Sequence, residues 1–220
     1  MNPASLMRVI AAALFLGLVV SAKAGLIPMS PELKAFLMRP DQTQAVIGAM
    51  GQQWRTIFEN CASPKLQGMN VLIVAPPTLD SSGTPVSGEW RMVGRMEGCG
   101  ETRILSVEYL FAPDGQMKRL ALLPGTTVAN LRLQRDALMY AVTGMMKLSP
   151  KDCKDIKGID TKFVGLEDTG PSTGAGGRPW KEEWTIRACG VTGVVTMHFA
   201  PDPTGTSIRA ALNETRLVNP

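Results

Sequence analysis

The sequence predicts an α+β protein made by tandem duplication, each unit holding one or two helices packed on a four-stranded antiparallel β-meander and closed by one disulfide. Three observations carry that expectation. A Trp stands nine residues before a Cys-Gly-x-Thr twice, at Trp90 with Cys99 and at Trp180 with Cys189, and each copy then runs on to Phe-Ala-Pro-Asp at 111–114 and 199–202. Ordered identities of this kind are the mark of an internal repeat. In each half a stretch of helical periodicity comes first and stretches of period two follow. The four cysteines also divide evenly, with Cys61 placed 38 residues before Cys99 and Cys153 placed 36 before Cys189.

The first 24 residues read as a signal peptide, which leaves units at residues 25–124 and 125–220. Arg8 precedes an apolar run from Val9 to Val20, and Ala22-Lys23-Ala24 closes it in A-x-A form. The run is shorter than the roughly 20 residues that span a bilayer, so cleavage is expected to leave Gly25 first and no stable membrane insertion. Loss of Arg8 and Lys23 takes the net charge from +4 to +2.

In the first unit, Ser30-Pro31-Glu32 starts a short helix that Pro40 stops. Asp41 and Gln44 have capping-box spacing for a longer helix, whose stripe Val46, Met50, Trp54, Ile57 ends at Cys61. Met69 to Ala75 is an apolar run of strand length, and Pro76 to Gly88 reads as a polar connection. Trp90 to Glu97 and Thr102 to Phe111 alternate as strands with one face covered, and Met117 to Leu123 completes the set beyond a Pro113-Asp114-Gly115 turn. The second unit repeats this with one helix from about Val128 to Met146 and strands at 159–166, 180–188, 191–200 and 206–212.

The pairing Cys61 with Cys99 and Cys153 with Cys189 follows from the repeat, because only that connectivity keeps the two units equivalent. Two disulfides in turn point to a periplasmic or secreted protein, since thiols outside the cytoplasm are oxidised. Nucleic acid is not an expected partner: the five lysines between Lys147 and Lys162 alternate with Asp152, Asp155 and Asp160, a solvated surface rather than a phosphate track. No cofactor is expected either. Gly174 to Gly177 lacks the spacing of a phosphate or dinucleotide loop, and the methionines fall on core stripes rather than forming a soft-metal cluster. His198, the single histidine, is expected on the open face of its strand beside Thr192 and Thr196.

Asp168-Thr169-Gly170 resembles the catalytic triplet of the aspartic proteases, a family of two related halves, and Asp80-Ser81-Ser82-Gly83 stands in the corresponding stretch of the first unit. That resemblance implies a small exported hydrolase working through Asp80 and Asp168. The element order in turn is similar to that of the β-lactamase inhibitory proteins, which implies an exported binder of a secreted enzyme and no particular contact residue. The favoured expectation is a non-catalytic binding or structural protein of the bacterial envelope with a protein partner. Its binding surface is expected where the copies diverge, at the tips 76–88 and 168–179, with Trp90, Trp180, Asp168, Thr169 and Arg178 contributing.

Overall fold

The computed structural model describes residues 28–61, 64–167 and 177–218. The expected signal peptide and the centre of the 168–179 connection, Asp168 and Thr169 included, lie outside the described residues. The first unit consists of α1 (Pro31–Leu37), α2 (Pro40–Ile57), β1 (Lys65–Leu79), β2 (Pro85–Gly98), β3 (Glu101–Phe111) and β4 (Met117–Ala121). The second consists of α3 (Leu131–Met146), β5 (Ile156–Leu166), β6 (Trp180–Ala188), β7 (Val191–Asp202) and β8 (Gly205–Leu217). Each unit is an antiparallel meander, in order β1-β2-β3-β4 and β5-β6-β7-β8, so the two repeats form two sheets. Among the described residues no helix is long and apolar enough to cross a membrane.

The helix starts follow their local chemistry. The Ser30 hydroxyl accepts from Leu33 N at the head of α1, and the Asn130 amide oxygen accepts from Leu133 N at the head of α3. The capping box expected at Asp41 and Gln44 does not form. Pro40 itself takes the first helical position, which suits its fixed φ and missing N–H, so Arg39 becomes the cap and Asp41 sits in the first turn.

The repeated Cys-Gly is a turn motif. Gly98 pairs with Glu101 and Ala188 with Val191, which leaves Cys99-Gly100 and Cys189-Gly190 as two-residue hairpin loops. All four residues have positive φ, at 51° and 78° in the first loop and 47° and 82° in the second. That is the type I′ geometry that fits the twist of a hairpin, and it costs a non-glycine residue conformational energy. Each strained cysteine is held by its disulfide, Cys61–Cys99 and Cys153–Cys189, with Cα atoms 6.0 and 5.8 Å apart.

The two cores set a helix methionine over a strand glycine in the same way, Met50 over Gly94 and Met145 over Gly193, and differ in where the large tryptophan comes from. In the first, α2 supplies the bulk: Trp54 and Met50 are fully buried against a strand that offers Gly94 and Gly98. In the second, the strand supplies it as Trp184, and α3 turns Ala137, Ala141 and Gly144 toward the sheet. Exchanging large for small across the layer conserves volume, which interiors require.

Residues 122–130 join the units and hydrogen-bond to both. Leu122 N and Gly125 N donate to Ser106 and Ile104 carbonyls on β3 at 3.0 and 2.7 Å, and Thr126 N donates to the Thr161 carbonyl on β5 at 2.7 Å. Gly125 is needed there: its φ is +106° and a Cβ would stand 1.9 Å from Thr161 O. Arg91, on the helix-free face of the first sheet, reaches the Ala129 carbonyl just ahead of α3 at 3.4 Å. Arg187, on the helix-free face of the second, reaches the Ile57 carbonyl at the end of α2 at 3.2 Å. Each unit's open face thus sends one arginine to a backbone carbonyl at a helix end of the other unit.

Candidate functional site

The tryptophans expected to flank a binding surface belong to the sheet interior. Trp90 is 0% exposed and stacks on its cross-strand partner Tyr109, with centroids 5.1 Å apart and planes at 15°. Trp180 is half-buried and stacks in the same way on Phe199, at 4.9 Å and 8°. Their recurrence reflects a shared aromatic rung, which contributes about 1 kcal/mol beyond the area it buries. Trp90 therefore contributes nothing to a surface. Arg178 is exposed at the edge of the second hairpin connection.

Glu182 occupies the position that Met92 holds in the first unit, and it is completely buried. The sequence carries no hint of its task. Its carboxylate accepts the indole N–H of Trp180 at 2.9 Å, that of Trp184 at 2.7 Å and the backbone N–H of Val128 at 3.0 Å. A buried charge needs such partners, and here they tie the joining segment to the second core.

The first divergent tip is not a loop of 13 residues. β1 continues through Pro76 and Pro77 to Leu79 and β2 begins at Pro85, because two residues bulge where the register shifts between Ala75 and Thr78 on an edge strand. Only Asp80 to Thr84 turns. Asp80 Oδ1 accepts from Ser82 N, Ser82 Oγ and Thr84 N at 2.8, 2.7 and 2.9 Å, and these bonds, the Ser82 hydroxyl first, hold its carboxyl below the usual range. Arg39 fastens the tip through Thr84 Oγ1 and the Ser82 carbonyl, both at 3.3 Å. Asp202 builds an equivalent turn with Thr204. An aspartate committed in this way is a poor general acid.

On the open face of the first sheet, Arg91 and Glu108 form a buried pair, with Nε and Nη2 at 3.1 and 2.9 Å from Oε2. Glu89 lies beside it. Burial, followed by a hydrogen bond with Glu108, pushes the Glu89 carboxyl above its usual range.

On the open face of the second sheet, His198 is far less exposed than the sequence suggests, with 13% of its side chain accessible. Its Nδ1 lies 2.8 Å from Glu167 Oε1 at the end of β5. Its Nε2 is buried without a hydrogen-bond partner among the described residues and stands 3.9 Å from Glu214 Oε1. Lys181 Nζ, 3.2 Å from Glu214 Oε2, holds that carboxyl below its usual range, with His198 and Arg209 adding to the effect. Glu214 sits in a wide bulge. The register passes from Val194 with Arg216 to Thr196 with Ala211, so residues 212–215 of β8 face Val195 alone.

That bulge borders an apolar groove between α3 and β8. Met139, Tyr140 and Thr143 form one wall, and Ile208, Ala210 and Leu212 form the other, around about 500 Å³. The exposed side chains are large: Met139 is 70% accessible, Tyr140 48% and Leu212 41%. Among the described residues β8 pairs only with β7, so its outer edge carries backbone groups with no ladder partner there. Among the described residues no group of His, Cys, Asp and Glu is arranged to hold a metal ion. The methionines Met50, Met92, Met96, Met145 and Met197 are buried in two separate cores.

No family model, curated protein or solved structure matches this chain.

Proposed function

We propose that the chain is an exported, disulfide-stapled binding protein of the bacterial envelope, periplasmic or secreted, that receives a protein partner at the α3–β8 groove. The observation that carries this reading is the meeting of exposed Met139, Tyr140 and Leu212 with the unpaired edge of β8. A large apolar patch beside an open strand edge costs solubility unless something covers it. An extended segment is the natural occupant. It adds a strand to β8 through main-chain hydrogen bonds and drops alternate apolar side chains into the groove.

The two disulfides and the A-x-A site ahead of Gly25 support the compartment, and an inhibitor of a secreted enzyme is the specific form that fits it. The competing hydrolase reading draws no support from Asp80, which is spent on its own turn. Capture from an envelope extract tests the groove. Wild type should retain a protein species, and Tyr140→Glu combined with Leu212→Arg should lower its recovery at least about tenfold, the loss that about 1.4 kcal/mol of binding energy represents. The melting temperature should stay near that of wild type, because both side chains are solvent-exposed. Undiminished recovery would remove the groove from the binding surface.

A further inference from the structure

The second sheet holds the chain's single histidine between two carboxylates, one just beyond β5 and one in β8. Glu167 follows β5 and meets Nδ1 at 2.8 Å; Glu214 lies in the β8 bulge and faces Nε2 at 3.9 Å. Charged groups meet the ring from each neighbouring strand, as Lys181 on β6 and Arg209 on β8 pair across from His198 in the ladders. A neutral imidazole has one N–H. With that proton directed at Glu167, Nε2 presents a lone pair to the Glu214 carboxylate in a spot closed to water. A protonated ring donates on both sides. Imidazole is also the side chain whose ordinary titration spans the pH range of bacterial surroundings.

We propose that Glu167, His198 and Glu214 form a proton-operated latch that sets the shape of the α3–β8 groove. When His198 is protonated it holds both carboxylates and fastens residues 212–215 across the sheet to the end of β5. When it is neutral the Glu214 side is released, and the bulge keeps Lys181 with Glu214 and the Thr215 hydroxyl on the Ala211 carbonyl as its remaining ties. Leu212 opens the bulge and also lines the groove, where it lies close to Gly144 of α3. Movement of 212–215 therefore moves one groove wall. The regulatory consequence rests on the groove being the binding surface; the latch itself does not.

One histidine makes the test clean, because the imidazole signals in an NMR spectrum need no assignment by mutation. Isotope-labelled protein carrying both disulfides is titrated without any partner from about pH 5 to about pH 8, the interval in which an imidazole changes charge. The amides of 212–215 and the methyls of Leu212 should shift in step with the ring. In Glu214→Gln the ring should still titrate while the bulge amides become insensitive to it. Stationary bulge signals in wild type while the ring titrates, or a ring that does not titrate in this interval, would overturn the latch. Since wild type alone decides the matter, a misfolded variant does not shield the idea. Failure here leaves groove capture intact, whereas failure of capture leaves this titration untouched.

Discussion

At the scale of single residues, the chain spends its charged groups on construction. Glu182 binds two indoles and a backbone N–H, Asp80 and Asp202 build turns, and Arg91 pairs with Glu108 under the joining segment. Glu89 is the uncomfortable member. Burial and the neighbouring Glu108 raise its carboxyl above its ordinary value of 4.5, so folding favours its protonated form. Stability from this group is full below pH 4.5 and is lost as pH rises through the raised value. Glu89→Gln imitates the protonated form. Its melting temperature should exceed that of wild type at pH 7 and match it at about pH 4, where wild type is already protonated. The gain should be small because the side chain is only half-buried. An equal effect at both pH values would show that the carboxyl is not displaced by its surroundings.

At the scale of elements, the β1–β2 ribbon separates what composition reveals from what pairing decides. Pro76 to Gly88 carries Pro, Ser and Gly at the density of a connection, yet most of it is strand. A proline is tolerated on an edge because its missing N–H faces no partner, and that depends on which strand lies outermost. Sequence alone does not carry that information. Gly88 holds the irregularity together, with φ at +108° and a Cβ position only 2.4 Å from Pro77 Cα. Gly88→Ala should therefore cost about 3 kcal/mol in chemical denaturation, combining backbone strain with an immovable contact. Gly68→Ala in β1, where nothing lies within 4 Å, should cost little.

The strands themselves were legible from Trp90 to Phe111 and from Trp180 to Ala200, where period two is clean. Cys61 with Cys99 and Cys153 with Cys189 were legible because duplication leaves one symmetric pairing. His198 stands on the open face expected of it, but strand alternation gives the face of a residue and not what covers that face. Glu167 and Glu214, which cover it, come from the end of one strand and the bulge of another. The groove escaped notice for a similar reason. Met139 and Leu212 are separated by the whole second meander, and neither the bulge nor the free edge of β8 leaves a trace in local composition.

At the scale of the whole molecule, duplication supplies two like sheets, and the joining segment hydrogen-bonds to both of them. The scaffold is common to both halves, whereas the α3–β8 groove is bordered by the β8 bulge, which the regular β3–β4 pairing of the first unit lacks. Placement of function at that asymmetry is the central claim. Site-specific photocross-linking in the intact envelope tests it most directly, with a photoreactive side chain installed in turn at Met139, at Leu212 and at Ser82 on the ribbon tip. All three positions are exposed, so each probe can report without disturbing the core. The account predicts one discrete protein adduct from positions 139 and 212 and none from position 82. An adduct from the ribbon tip with none from the groove would contradict it.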